Sequence, residues 1–185
     1  MPSLLATIDT SVLVSLQSAE VLAEVSVLFE RILVPGQVRK ELEAGGGRNR
    51  DALKAIADFA IFERCEGYDP AQVKWLLDTR ASLGAGGDQG EAEAVVQAAQ
   101  RSAMVLTDDG LGREWSRSRA IECHGTVWIC YELRRTGYLG DLRSYYVRLL
   151  KRGRHQPLAA MNHYLQEMGE PPISEREYLG YTARP

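Results

Sequence analysis

The 185-residue sequence predicts an α/β fold, with a mostly parallel sheet of four to five strands covered by helices on both faces. The main observation is that short apolar runs alternate along the chain with segments of helical period. A second is that the first run, residues 4–8, contains β-branched Thr7 and Ile8, as buried parallel strands do. The composition, 45% hydrophobic and 25% charged, is that of an ordinary globular protein.

Cap and turn residues divide the first half of the chain into elements. Residues 11–31 have a helical pattern, and Ser18 is expected to cap a second helix within it. Pro35 favours the start of the next helix, and three glycines at residues 45–47 end that helix. The expected elements are strands at 32–34 and from 60 to 62, helices at 37–44, 51–60 and 70–77, and a loop at 45–50.

The second half of the chain continues the alternation and then changes character. A glycine-rich loop at residues 84–90 is followed by helices at 91–101, 112–119, 127–135 and 141–151, a fourth strand at 104–107 and a weak fifth at 120–123. Beyond Arg152 one amphipathic segment ends at Pro171-Pro172. We interpret residues 1–152 as the main domain and residues 153–185 as a helical C-terminal extension, which is too short to build its own core.

Charge and cysteine content narrow the possible classes of protein. The net charge of −3 and the pI of about 5.7 do not by themselves indicate a nucleic-acid-binding protein, although local patches decide that question. Cys65, Cys123 and Cys130 lie far apart without C-x-x-C spacing, so neither a zinc site nor a disulfide framework is indicated. Free thiols, no signal-peptide pattern and no run of membrane-spanning length together predict a cytoplasmic protein.

Acidic residues recur at the positions where parallel strands end. Asp9 follows the first strand, Asp108 and Asp109 follow the fourth, and Glu41 and Glu91 lie on helices that come after the second strand and the glycine-rich loop. The carboxyl ends of parallel strands meet in one crevice, where ligands bind. Carboxylates gathered there repel one another unless a cation lies among them, and oxygen ligands favour Mg²⁺ or Mn²⁺. Such sites activate water and stabilise the charge of a phosphodiester transition state.

Each acid also has a purely structural interpretation, which its local sequence leaves open. Asp9 has the residue type of a helix N-cap, and Glu41 lies in a charged run typical of a solvated helix face. Glu91 suits the first turn of a helix, where it meets the positive end of the dipole. Asp108 and Asp109 with the following glycine form a turn sequence.

Four motifs together resemble those of PIN-domain nucleases, from residue 4 to about residue 138. The sequence Ile8-Asp9-Thr10-Ser11 is similar to the first motif, and Val34-Pro35 with Glu41-Leu42 is similar to the second. The third is matched by Gly90-Glu91-Ala92-Glu93-Ala94, in a branch where glutamate replaces aspartate. The fourth is matched by Leu106-Thr107-Asp108-Asp109, and Gly125-Thr126 also fits that branch.

The resemblance implies a three-layer α/β/α fold and RNA cleavage that depends on Mg²⁺ or Mn²⁺. It also implies, as in VapC-like toxins, a homodimer that a small antitoxin keeps silent. The implied catalytic residues are Asp9, Glu41, Glu91 and Asp109, and the implied metal ligands are Asp9, Glu91, Asp108 and Asp109. The residues expected to orient water or a carboxylate from behind these ligands are Thr10, Ser11 and Thr107.

Basic residues near the predicted site are candidates for binding phosphate. Those singled out as substrate-binding are Arg48, Arg50, Arg113 and Arg117. A second basic region comprises Arg134, Arg135, Arg148, Lys151, Arg152 and Arg154. Each arginine alone also fits a solvated helix face, and none of the three histidines matches a motif.

The sequence therefore predicts a metal-dependent endoribonuclease acting on RNA, in the role of a VapC-like toxin. One alternative is a PIN-like scaffold that binds RNA or protein without catalysis. The other is an aspartate-dependent phosphatase with Asp9 as nucleophile, which is disfavoured because Ser11 stands where such enzymes have a second acid.

Overall fold

A computed structural model describes residues 4–82 and 88–183 and confirms the predicted α/β class. Five parallel strands form one sheet in the order β3-β2-β1-β4-β5. Their bounds are β1 Leu5–Ile8, β2 Arg31–Pro35, β3 Phe62–Cys65, β4 Met104–Leu106 and β5 Cys123–His124. The first strand is thus the middle one, with β2 and β4 as its neighbours.

Helices cover both faces of the sheet, which gives the three layers of an α/β/α fold. The helices are α1 Thr10–Ala19, α2 Gly36–Ala44, α3 Gly47–Asp58, α4 Pro70–Ser82, α5 Gln89–Arg101, α6 Gly110–Ser118, α7 Thr126–Arg135, α8 Leu142–Lys151, α9 Leu158–Glu167 and α10 Glu175–Thr182. Among the described residues, none of these helices has the length and apolar character needed to cross a membrane.

The two faces of the sheet support separate cores. Alternate residues of β1 point to opposite faces, so Ala6 and Ile8 join the larger core, while Leu5 contacts the smaller one. The larger core is built with α1, α2, α3, α7, α8 and α9, and the smaller with α4, α5 and α6. All five strands end at the same edge, where Asp9 directly follows β1 and its N–H donates to the carbonyl of Leu106 at 3.0 Å.

The expected helix cap at Ser18 is wrong. The Ser18 hydroxyl donates to the carbonyl of Val14 at 2.7 Å, so this residue lies inside α1 and bonds back to the preceding turn. Helix α1 ends at Ala19, and the next residue, Glu20, caps it with a left-handed φ of 62°. The second helix expected in this segment is only a 3-10 turn at Glu24–Val27.

The expected loop at residues 45–50 is also wrong, because only Gly45 and Gly46 separate α2 from α3. Gly46 is extended at the N-cap, a position that tolerates glycine, and Gly47 is already helical. Consequently Arg48 and Arg50 lie on α3 and not on a loop. The fifth strand begins later than expected, at Cys123, since Ala120 has a φ of 53° in the turn after α6. Most of the glycine-rich loop at 84–90 lies outside the described residues.

The C-terminal extension packs against the rest of the protein. Met161 and Leu165 of α9 and the following Ile173 are buried in the larger core. Helix α10 was not expected from the apolar pattern, and it begins with a capping box in which Ser174 and Glu177 bond reciprocally. The extension therefore shares the core of the residues that precede it.

Candidate functional site

A cavity of about 330 Å³ opens at the carboxyl ends of β1 and β4. This is the crevice in which open α/β sheets bind ligands. It contains all four residues predicted to be catalytic, two of the three predicted supporting hydroxyls, and four further residues. The lining residues are Asp9, Thr10, Ser11, Val14, Glu41, Asn49, Asp88, Glu91, Asp109 and Arg154.

Asp9 lines the cavity at the point where the middle strand of the sheet ends. Its side chain is only 2% exposed, and it caps α1 by accepting from the N–H of Val12 at 2.9 Å. The hydroxyls of Ser11 and Thr107 also donate to its two carboxylate oxygens. Burial nevertheless raises the pKa of Asp9 to about 7, which outweighs these donors. Asp9 is therefore both the helix cap and part of the cavity wall.

Glu91 and Asp109 bring further negative charge to the same cavity. Burial raises the pKa of Glu91 to about 8, and the neighbouring carboxylates of Asp109, Asp9 and Asp88 add to this rise. Asp109 is held in place as the N-cap of α6, where it accepts from the N–H of Leu111 at 2.6 Å. Three carboxylates thus face one space without a basic side chain paired to any of them among the described ion pairs.

Glu41 reaches the cavity from α2, and Thr10 fixes its position. The Thr10 hydroxyl donates to Glu41 Oε2 at 2.5 Å, and burial raises the pKa of Glu41. Gly90 makes this approach possible, because a Cβ there would lie 2.7 Å from Glu41 Oε1. The glycine of the third motif therefore leaves room for the acid of the second.

Asp108 turns away from the cavity. Its Oδ1 accepts from the N–H of Thr126 at 2.8 Å, and its Oδ2 accepts from the Thr126 hydroxyl at 2.6 Å and from Gln156 Nε2 at 2.8 Å. Gly125 allows this contact, since a Cβ there would lie 2.5 Å from Asp108 Oδ1. Asp108 links the end of β4 to the start of α7, and the structure does not bring it together with the other predicted metal ligands.

The hydroxyls predicted to support the acids connect them to one another. Thr107 donates to Asp9 and accepts from the N–H of Asp109 at 3.0 Å. Ser11 donates to Asp9 at 2.8 Å and accepts from the N–H of Asp108 at 3.3 Å. The end of β1 and the end of β4 are therefore joined through side chains as well as through the sheet.

The four arginines predicted to bind substrate do not line the acidic cavity. Arg48 Nη1 donates to the carbonyl of Arg152 at 2.6 Å, and Arg50 is exposed on α3. Arg113 and Arg117 line a separate cavity of about 440 Å³ beside Cys123. The arginine that does line the acidic cavity comes from the C-terminal extension.

Sequence reasoning missed three polar residues of this cavity, and only Asp88 had a signal in the local sequence. Asp88 caps α5 by accepting from the N–H of Gly90 at 2.8 Å, so its position just before the third motif was informative. Asn49 donates to the carbonyl of Glu41 at 3.3 Å. Arg154 had been grouped with the second basic region, and no local pattern indicates that it reaches α1, 143 positions earlier in the chain.

The donor set fits a hard divalent cation, although the described side chains do not form a finished coordination shell. Within residues 4–82 and 88–183, no group of three or more His, Cys, Asp or Glu side chains is arranged to hold a metal. Burial raises the pKa values of Asp9 and Glu91, and for Glu91 the neighbouring carboxylates add to the rise; a divalent cation among these groups would offset both effects by stabilising the charged carboxylates. The oxygen atoms of Asp9, Glu91 and Asp109 are of the type that Mg²⁺ and Mn²⁺ prefer.

Comparison with known proteins agrees with this geometry. No curated protein matches the chain. The sequence model of a family described as a PIN domain matches residues 5–170, from β1 through α9 and beyond the predicted boundary at residue 152. Because the match covers most of the chain and includes every acid of the cavity, the protein belongs to the PIN domain family.

Proposed function

We propose that this protein is an endoribonuclease that hydrolyses RNA phosphodiester bonds with Mg²⁺ or Mn²⁺. The observation that carries the proposal is that Asp9, Glu91 and Asp109 face one cavity at the carboxyl edge of the sheet. Burial and mutual repulsion hold the pKa values of Asp9 and Glu91 near neutrality, which favours a cation among them. Membership in the PIN domain family supports nuclease chemistry.

The residues of the cavity have different proposed roles, which follow from their positions. Asp9, Glu91 and Asp109 would hold the metal, which when bound lowers the pKa of water and stabilises charge on the phosphate. Glu41 is kept in place by Thr10, and its raised pKa suits a group that takes a proton from the attacking water. Thr107 and Ser11 keep the Asp9 carboxylate in one orientation.

The two alternatives have less support. A scaffold without catalysis does not require four acids to converge on one cavity, as Asp9, Glu41, Glu91 and Asp109 do. An aspartate-dependent phosphatase needs a second acid near its nucleophile, whereas Ser11 provides a hydroxyl that is already donated to Asp9. Release of phosphate from an aryl phosphate would favour the phosphatase.

The narrower biological role that we propose is that of a VapC-like toxin in the cytoplasm. In this role the protein is a homodimer, and a small antitoxin protein binds it and keeps it inactive. Loss of the antitoxin allows RNA cleavage. The resemblance of the four motifs supports this role. Growth should stop when the protein is induced and resume when a cognate antitoxin is produced with it. If the protein cleaves RNA but its expression never slows growth, the toxin role is wrong and the nuclease function still stands.

The test of the nuclease is cleavage of single-stranded RNA in Mn²⁺ by the wild type, Asp9→Asn and Glu91→Gln. We expect both variants to lose cleavage by at least about 100-fold, because each removes a charged ligand. The matched control is Glu43→Gln, an exposed glutamate on α2 outside the cavity, which should cleave normally. Calorimetric titration should show weaker Mn²⁺ binding in both site variants. Cleavage that survives in both would contradict the site.

A further inference from the structure

The segment between α8 and α9, residues 152–157, contributes Arg154 to the lining of the acidic cavity and is hydrogen-bonded to the rest of the protein at several points. The carbonyl of Arg152 accepts from Arg48 at 2.6 Å. Gln156 is 4% exposed, donates to Asp108 at 2.8 Å, and accepts at its carbonyl from the Tyr178 hydroxyl at 3.1 Å. The backbone on either side of Arg154 is therefore fixed.

The Arg154 side chain is held by neutral groups. Its Nε donates to Ser15 Oγ at 3.1 Å and its Nη2 donates to the carbonyl of Ser11 at 3.0 Å. No ion pair among the described residues includes Arg154, although it lines the same cavity as the acids. A guanidinium keeps its charge even when half-buried, and none of the described carboxylates lies within ion-pair distance of it, although Asp108 and Asp9 are near enough to attract it.

A fixed guanidinium that is not directly paired with a carboxylate suits a phosphate ligand. Two of the five N–H donors of Arg154 are used by Ser15 and Ser11, and three are left for another acceptor. The planar guanidinium matches the geometry of a phosphate, and fixing it beforehand lowers the entropy lost on binding. The remaining lining of the cavity is strongly acidic, so a polyanion entering it needs a positive contact at this point.

We propose that Arg154 binds a phosphate of the RNA strand beside the carboxylates. This inference rests on the proposed nuclease function and adds a residue of the C-terminal extension to its substrate site. The cavity is small, about 330 Å³, so the phosphate bound by Arg154 is the scissile one or its immediate neighbour. Arg154 thereby sets the position of the strand relative to Asp9, Glu91 and Asp109.

The test measures RNA affinity without cleavage. In the Glu91→Gln protein with Mg²⁺ present, a fluorescent single-stranded oligoribonucleotide is titrated by anisotropy at several KCl concentrations. Arg154→Gln added to that protein should weaken binding about tenfold, because one charge-assisted contact is lost. The slope of log K against log salt should fall by about 0.7, the value for one phosphate on a single strand. Arg154→Lys should keep the slope.

The matched control is Arg31→Gln, which removes an exposed arginine from the start of β2, at the opposite edge of the sheet. It should leave both the affinity and the salt slope unchanged. In the wild-type background, Arg154→Lys should retain more cleavage than Arg154→Gln.

Two results would overturn the proposal. One is an Arg154→Gln protein with unchanged affinity and salt slope. The other is an equal loss of affinity in Arg154→Lys and Arg154→Gln, accompanied by a lower melting temperature in both variants. This result would mean that Arg154 only joins residues 152–157 to α1 and does not bind phosphate. A wild type that fails to cleave RNA would refute the nuclease, whereas the affinity measurement tests Arg154 separately.

Discussion

Asp9 has two opposing effects on the stability of the fold. As the N-cap of α1 it stabilises the fold, and as a buried carboxylate it destabilises the fold whenever it is charged. Its pKa of about 7 lies above the ordinary value of 3.8, so the folded protein binds this proton more tightly than the unfolded chain does. Stability from this group is therefore complete below pH 3.8 and is lost as the pH rises through 7.

Glu91, with a pKa of about 8, likewise contributes stability that is lost as the pH rises. Without metal, we expect the melting temperature to fall between about pH 5 and pH 8, by an amount equivalent to about 6 kcal/mol at most. Thermal unfolding in EDTA measures this, and Mg²⁺ at pH 8 should restore stability. Asp9→Asn should flatten the curve and serves as the control. A melting temperature that rises over this range in the wild type would contradict the direction of these pKa shifts.

Asp108 provides a second prediction for a single side chain. Because it accepts three hydrogen bonds from Thr126 and Gln156, Asp108→Ala should destabilise the fold by about 2–3 kcal/mol in urea unfolding. Its effect on Mn²⁺ affinity should be smaller than that of Asp109→Ala, since Asp109 lines the cavity. If Asp108→Ala abolished Mn²⁺ binding while Asp109→Ala did not, Asp108 would be the metal ligand and our assignment of Asp109 would be wrong.

Helices α2 and α5 meet closely because Gly90 has no side chain. Gly90→Ala should reduce cleavage about tenfold or more, since the new Cβ would lie 2.7 Å from Glu41 Oε1 and displace that carboxylate. Stability should change little, because alanine is the better helix residue and offsets part of the crowding. Gly47→Ala on α3, where a Cβ meets nothing within 4 Å, is the matched control. Equal activity in both variants would contradict the packing argument.

Strands were easier to predict than helix ends and long-range contacts. The apolar runs of β1 and β4 are local signals, and they place Asp9 and Asp109 at one edge by topology alone. Ser18 was misjudged because a serine can cap a helix or bond within one, and only the tertiary fold decides. Arg154 could not be placed, since its partner Ser11 is set by packing of the extension and not by spacing.

The larger core is continuous across the described residues, and the extension contributes Met161, Leu165 and Ile173 to it. A chain ending at residue 152 should therefore lose several kcal/mol of stability or fail to fold, because the apolar groups against which these side chains pack become exposed. Circular dichroism and urea unfolding measure this. A chain ending at residue 174 is the control, since α10 has no buried residue and its loss should matter less. A 1–152 chain of unchanged stability would make the extension a true appendage.

The contact between Arg154 and α1 also bears on when the protein becomes active during its own synthesis. The cavity takes its first acid from position 9 and its arginine from position 154, so the ribosome adds these two residues far apart in time. A nascent chain that has folded β1 and α1 still lacks the residue proposed to hold phosphate. RNA-binding competence would then arise only after residue 154 has been synthesised, and until then a nascent chain of the proposed nuclease would spare the message that encodes it.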